Sequence, residues 1–168
     1  AGIDTLSLSV GGELLPYQLE DMANRLQGVA GGNWINLRLA DRRVYGQDKQ
    51  IMDMVKRMVY TVKGGWDTVF LGPLAHDGTG LVMSDRSPNS TYLAARTLVN
   101  ELSGFRMLRH VRFPGGVEGF FFADAEDNAK LVAWAEEPTD FEIYLGSDIQ
   151  VTALAGNVSR WVHGPKQT

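Results

Sequence analysis

A histidine and an aspartate stand side by side in a segment that follows a predicted strand. His76 and Asp77 lie in a glycine-flanked loop that is long enough to reach a site. A histidine–carboxylate pair of this kind can act as a general base or bind a hydroxyl group of a ligand. The alternative is ordinary polar turn chemistry. The sequence leaves both interpretations open.

Asp41 is a second candidate, at the end of another predicted strand. Three arginines are close to it in the sequence: Arg38, Arg42 and Arg43. Sites of α/β proteins form at the carboxyl ends of parallel strands, so this carboxylate could take part in chemistry there. A salt-bridged cluster in a loop is the alternative. Asp41, His76 and Asp77 are therefore the candidate catalytic residues.

Two tryptophans are candidates for ligand binding, because an indole ring can stack on the face of a sugar. Trp34 and Trp66 each open a predicted strand, and packing in the core is the alternative for both. Together with Arg38 and His76 they make up the predicted substrate-binding set.

Metal and phosphate sites are not expected. His76, His110 and His163 lack the spacing of a metal motif, and the chain has no Cys. An acidic turn at residues 124–128 could hold Ca²⁺, but it lacks the order of an EF-hand loop, which favours a plain hairpin turn. The Gly-Gly pairs do not form a phosphate loop. We therefore predict no metal and no cofactor.

Composition limits the classes of partner. The chain has 168 residues, 44% of them hydrophobic, and a formal net charge of −4. Such a charge provides no electrostatic attraction to nucleic acid, and no apolar run approaches the ~20 residues of a membrane span. The chain opens at Ala1 without an initiator Met. We expect it to be an excerpt from a longer polypeptide.

Hydrophobic periodicity in the first part of the chain indicates alternating strands and helices. Strand-like alternation at residues 3–10, 34–39 and 66–71 is interleaved with helical spacing at 15–26 and 47–63, and Ser87-Pro88 is typical of the start of a helix that reaches Leu102. Three βα units predict parallel strands joined by crossovers.

The pattern changes after Gly104. Five short strand-like runs follow, separated by turn residues, at 105–113, 117–122, 129–135, 141–145 and 149–154, and Trp161 could belong to a last strand. Such spacing is typical of an antiparallel sandwich. The expected domains are residues 1–103, of α/β class, and residues 104–168, all-β.

Four runs of sequence carry a resemblance to a known family. These are Asp4-Thr5-Leu6-Ser7-Leu8-Ser9, Trp34-Ile35-Asn36-Leu37, residues 58–70, and Gly80-Leu81-Val82 with Pro88 and residues 92–98, of which the last is the most specific. In order and spacing they resemble the C-terminal end of retaining (β/α)8 glycoside hydrolases, of the xylosidase-like and exopolysaccharide-hydrolase-like kind. The resemblance covers essentially the whole chain.

The resemblance implies a fold and a ligand. It would make residues 1–103 the last three βα units, strands 6–8, of a barrel that an upstream part of the same polypeptide completes, followed by a small β-sandwich. It implies that the protein acts on or binds polysaccharide, and it favours an extracellular or cell-surface location.

The departures from the family pattern concern catalysis. Leu37 stands where the family has its nucleophilic Glu, and Ser9 or Val10 where it often has a His. Retaining hydrolysis needs two carboxyl groups, so we expect this chain alone not to be catalytic. The alternative is a non-catalytic carbohydrate-binding or structural module of a larger surface protein. A third possibility is an independent small α/β domain without barrel ancestry.

Overall fold

The computed structural model describes residues 2–140, 143 and 149–161, and these form two compact units. The first spans Ala1–Leu98 and the second Val99–Thr168. The division falls inside the last helix, and the boundary expected from the sequence, near Gly104, lies just after that helix.

A parallel sheet of three strands organises the first unit. β1 (Leu6–Val10), β2 (Asn33–Arg38) and β3 (Thr68–Gly72) pair in the order β1-β2-β3. The register aligns Val10 with Leu37 and Leu37 with Leu71. All three strands therefore end at one edge of the sheet, which we call the carboxyl edge.

Four helices follow these strands: α1 (Gln18–Leu26), the short α2 (Arg42–Tyr45), α3 (Gln47–Gly64) and α4 (Ser90–Leu102). α3 ends because Gly65 adopts a left-handed conformation with φ of 73°. The start predicted for α4 at Ser87-Pro88 is wrong. Asn89 caps the helix instead, since its Oδ1 accepts a hydrogen bond from the Tyr92 amide at 3.0 Å.

The core of the first unit covers one face of the parallel sheet. Ile35 and Leu37 are two residues apart on β2, so both side chains point to this face, where they pack with Leu19 and Ala23 of α1. The opposite face carries Trp34, which is 40% exposed. Because side chains alternate along a strand, the same pattern that buries Leu37 leaves its neighbours on the open face.

The second unit contains two antiparallel sheets among its described residues. β4 (Arg106–Arg112), β5 (Glu118–Ala123) and β6 (Ala129–Trp134) form one sheet, and β7 (Ile149–Thr152) pairs with β8 (Val158–Trp161) in the other.

Three stacked rings cross the larger sheet. Phe120 lies 4.1 Å from the ring of His110 and 4.8 Å from that of Trp134, measured between ring centroids. The acidic turn between β5 and β6 is a hairpin turn, because the Asp124 carboxylate accepts from the amides of Glu126 and Asn128.

The predicted fold class, a partial (β/α)8 barrel followed by a β-sandwich, is wrong. The described residues show a mixed α/β chain in which β1–β3 form an open sheet and no barrel closes. The later strands form separate sheets of three and two strands rather than one five-stranded sandwich. Alternating βα periodicity specifies parallel pairing but not closure, which explains the error. The predicted strand at 141–145 lies outside the described residues except for Ile143.

A membrane-spanning helix would need a long apolar stretch. Among the described residues, no helix has both the length and the apolar character that a bilayer span requires.

Candidate functional site

The carboxyl edge of the parallel sheet brings together the loops that follow β1, β2 and β3. In open α/β sheets this edge is where ligands bind. Asp41 follows β2, and both His76 and Asp77 follow β3. All three candidate catalytic residues therefore belong to loops at this edge.

Asp41 is held by its neighbour Arg43. It caps α2, since its Oδ1 accepts from the Arg43 amide at 2.9 Å, and its Oδ2 lies 2.7 Å from Nη2 of the same arginine. The side-chain hydrogen bond from Arg43 lowers the pKa of Asp41 from 3.8 to about 2. Asp41 is consequently a carboxylate at any physiological pH and cannot donate a proton there.

Arg42 joins the loop after β2 to the loop after β3. Its Nη1 donates to the carbonyl of Gly80 at 2.8 Å, and its Nη2 donates to that of His76 at 3.0 Å. The Arg42 amide donates to the Gly78 carbonyl at 3.0 Å. Arginine suits this role because its fork of N–H groups reaches several acceptors at once. The loops after β2 and β3 are thus hydrogen-bonded to each other through Arg42.

A buried glutamine also contacts both of these loops. Gln50 of α3 is 0% exposed, and its Nε2 donates to the carbonyls of Ala40 at 2.5 Å and Gly78 at 2.9 Å. Its Oε1 accepts from the Thr91 hydroxyl at 2.6 Å. Burying an amide is tolerable only when its groups are hydrogen-bonded, as here. Gln50 therefore positions both loops.

Sequence reasoning missed Gln50 because it followed only apolar residues along α3. The helical spacing at 47–63 was derived from apolar residues that included Val62. In the structure Val62 is exposed, whereas the buried positions include Gln50, Arg57 and Thr61. These three residues lie at helical spacing from the buried Met54 and therefore on the same face of α3. That spacing could have identified them as buried from the sequence.

Arg57 fixes the loop after β1. It is 1% exposed, and its Nε lies 2.7 Å from the Asp53 Oδ2. Nη1 donates to the Gly11 carbonyl at 3.0 Å, and Nη2 donates to those of Gly12 at 3.1 Å and Leu14. A buried guanidinium needs this many acceptors to offset its desolvation.

A pocket of about 540 Å³ opens between these loops. Its wall comes from the loops after β1 and β2 and from the helices α2 and α3. The lining residues are Gly12, Glu13, Leu39, Ala40, Asp41, Tyr45, Lys49 and Asp53. We call this the carboxyl-edge pocket.

Three groups of the pocket wall are available to a ligand. Tyr45 is 59% exposed, and within the described part of the chain the side chains of Tyr45, Lys49 and Glu13 have no hydrogen-bond or ion-pair partner. Asp41 and Asp53, by contrast, are paired with arginines. The wall therefore offers a mixture of donors and acceptors around an aromatic ring.

His76 and Asp77 accept hydrogen bonds from backbone amides of their own loop. The Nδ1 of His76 accepts from the amides of Gly78 and Thr79, each at 3.1 Å, so the neutral ring carries its proton on Nε2. Asp77 accepts from the Ser84 amide at 2.8 Å, and this bond lowers its pKa. Among the described residues the two side chains are not hydrogen-bonded to each other. The arrangement agrees with the turn alternative, and the catalytic role stays a prediction.

The predicted binding residues lie in different places. Trp66 is 7% exposed, and its indole N–H donates to the Leu19 carbonyl at 3.0 Å, as in the core-packing alternative. Trp34 and Arg38 are exposed and share the open face of the sheet, away from the core. Trp34 contacts Phe70 edge-on, with ring centroids 5.9 Å apart. Neither lines the carboxyl-edge pocket.

Leu37, at the position that the family resemblance gives to a nucleophile, belongs to the core. It is fully buried and packs with Val10 and Ile35. A carboxylate at this position would be buried among apolar side chains rather than presented to a ligand.

The described residues contain no group of three or more metal-binding side chains that could hold an ion. Comparison of the chain with protein-family models, with curated proteins and with solved structures found no match.

Proposed function

We propose that this chain binds carbohydrate, without hydrolysing it, in the carboxyl-edge pocket. The observation that carries the proposal is the wall of that pocket, in which the exposed ring of Tyr45 lies with Lys49 and Glu13, two charged side chains that have no ion-pair partner among the described residues.

The lining suits a ligand that has hydroxyl groups and apolar C–H faces. Lys49 can donate to sugar oxygens, and Glu13 can accept from sugar hydroxyls. Tyr45 supplies a flat apolar surface with a polar end. The volume of about 540 Å³ is in the range of small-molecule sites, which is roughly 300–1,000 Å³. One or two sugar units would fit.

Hydrogen bonds from two buried side chains hold the backbone of the loops that form the pocket wall. Arg57 fixes the loop that carries Glu13 through the carbonyls of Gly12 and Leu14, and Gln50 fixes the loop that carries Asp41 through the Ala40 carbonyl. A preformed site avoids the entropic cost of ordering loops on binding.

Two properties support binding rather than hydrolysis. Glycoside hydrolysis needs a protonated carboxyl group with a raised pKa beside a second carboxylate. The pKa values of the candidate carboxyls Asp41 and Asp77 are both lowered, so neither is a proton donor at neutral pH. Leu37 presents no nucleophile.

Isothermal titration with short neutral oligosaccharides derived from xylan, mannan and glucan tests the proposal. We expect at least one of them to bind, and Tyr45→Ala to weaken binding by about tenfold, as expected for a lost contact of roughly 1.4 kcal/mol. Tyr17→Ala is the matched control, because Tyr17 is also exposed and lies outside the pocket. Binding that is equally weakened by both variants, or no binding at all, would contradict the proposal.

The second candidate is hydrolysis, favoured by the presence of two further carboxylates, Glu13 and Asp53, in one pocket. Turnover of aryl glycosides by the purified chain distinguishes the two. Activity that is abolished by Glu13→Gln but kept by Tyr17→Ala would establish hydrolysis and overturn the binding proposal.

A further inference from the structure

Strand β4 of the second unit is unusually rich in arginine. Arg106, Arg109 and Arg112 are all exposed and recur at every third position. In a regular strand, residues three apart point to opposite faces of the sheet. Successive arginines would then alternate between the two faces, and no two neighbouring ones could bind one ligand.

A β-bulge changes this arrangement. The register shifts between Met107 and Arg109, so that Arg106 pairs with Ala123 and Arg109 pairs with Phe121 of β5. Ala123 and Phe121 are two residues apart and therefore share a face. The extra residue in β4 thus brings Arg106 and Arg109 to the same face of the sheet, which is how bulges redirect side chains.

The two guanidinium groups on this face are available. Arg109 lies over the Phe121 ring, with its Cζ 4.8 Å from the ring centroid. Within the described part of the chain, neither Arg106 nor Arg109 has a hydrogen-bond or ion-pair partner. Arg112 differs, because it pairs with Glu118 on the other face, with its Nε 3.6 Å from Oε1.

The surroundings also favour a ligand. β4 is an edge strand of its sheet among the described residues, and Phe121 with the neighbouring Leu131 is only half-buried. This face of the sheet therefore combines two guanidinium groups with an apolar surface. We call Arg106, Arg109 and Phe121 the arginine face.

We propose that the arginine face is a second binding site, specific for an acidic carbohydrate that carries carboxylate groups. A guanidinium binds a carboxylate through two parallel hydrogen bonds. Arg109 covers one face of the Phe121 ring, and the half-buried Leu131 beside this ring offers apolar surface to the C–H groups of the sugar. The cation–π contact holds Arg109 in place before the ligand binds. This site lies in a different unit from the carboxyl-edge pocket and does not depend on it.

Charge favours an acidic sugar over nucleic acid. Affinity for nucleic acid comes mainly from many phosphate contacts and the release of counterions. Two arginines on a chain with a net charge of −4 supply too few such contacts. Oligogalacturonate presents single carboxylates on pyranose rings, which two guanidinium groups beside an apolar surface can match.

The test uses the whole chain, with oligogalacturonate as the probe and a short xylan-derived oligosaccharide and single-stranded DNA as comparison ligands. Affinity is measured by isothermal titration at two salt concentrations. We expect oligogalacturonate to bind, and the double variant R106Q/R109Q to weaken it by at least about tenfold.

The matched control is R112Q on the opposite face, which removes a positive charge from the same strand. We expect it to change oligogalacturonate affinity by less than about twofold. Equal losses in R112Q and R106Q/R109Q, tighter binding of single-stranded DNA than of oligogalacturonate, or no binding of oligogalacturonate would each overturn the proposal. Failure of xylan-derived ligands to bind concerns the carboxyl-edge pocket alone.

Discussion

Arginine has opposite roles at the carboxyl-edge pocket and on the arginine face. Beneath the pocket, Arg57 is buried and donates to the carbonyls of Gly11, Gly12 and Leu14 and to Asp53. On the arginine face, Arg106 and Arg109 are exposed, and within the described residues they have no such partners.

Burial decides which role each arginine has. A buried guanidinium must be satisfied by the protein itself, and so it becomes part of the scaffold. An exposed one is satisfied by water and can exchange water for a ligand. Substitutions should therefore cost stability in the first region and affinity in the second.

The largest expected effect is that of Arg57→Met. The change leaves Asp53 unpaired and three carbonyls without their donor, so we expect the free energy of unfolding to fall by about 3 kcal/mol or more. Urea denaturation measures this. Arg106→Met serves as the control and should cost less than about 0.5 kcal/mol. Similar losses for the two variants would remove the distinction between scaffold and binding arginines.

Gln50→Leu should come next. It keeps the volume but removes the donor to Ala40 and Gly78 and the acceptor for Thr91, for an expected loss of about 2 kcal/mol. Thr91→Val removes only one of these bonds and should cost about 1 kcal/mol. A loss for Gln50→Leu no larger than that for Thr91→Val would show that the glutamine does not hold the loops.

The smallest expected effect is the pH response of Asp41. Its pKa is lowered from 3.8 to about 2, so ionised Asp41 stabilises the fold above pH 3.8, and this contribution is lost as the pH falls through about 2. Carboxyl NMR titration should give that low midpoint, and Arg43→Gln should move it up toward 3.8. An unchanged midpoint in the variant would refute the assigned cause.

Periodicity in the sequence predicted the parallel sheet well, because alternation at Ile35 and Leu37 directly reports burial on one face. It missed Gln50 and Arg57, because their helical spacing from Met54 indicates a buried face but does not reveal the distant carbonyls that make a polar side chain favourable there. The bulge in β4 was hidden for a similar reason. Adjacent Met107 and Leu108 break the alternation, but only pairing with β5 shows which residue is extra.

Barrel closure depends even more on distant parts of a structure. Three βα units have the same local pattern in an open sheet and in a barrel. The motif at residues 34–37 led to a nucleophile position at Leu37, whereas the structure places that side chain in the core. The pocket is lined by Asp41, which was a predicted candidate, and by Glu13, Tyr45 and Lys49, which were not.

The most direct test of the account is a cross-titration of two ligands against two variants in one series. The account predicts that Tyr45→Ala weakens only the neutral oligosaccharide and that R106Q/R109Q weakens only oligogalacturonate, each by about tenfold. If either variant weakened both ligands equally, the chain would not have two separate carbohydrate sites, and the central claim would be contradicted.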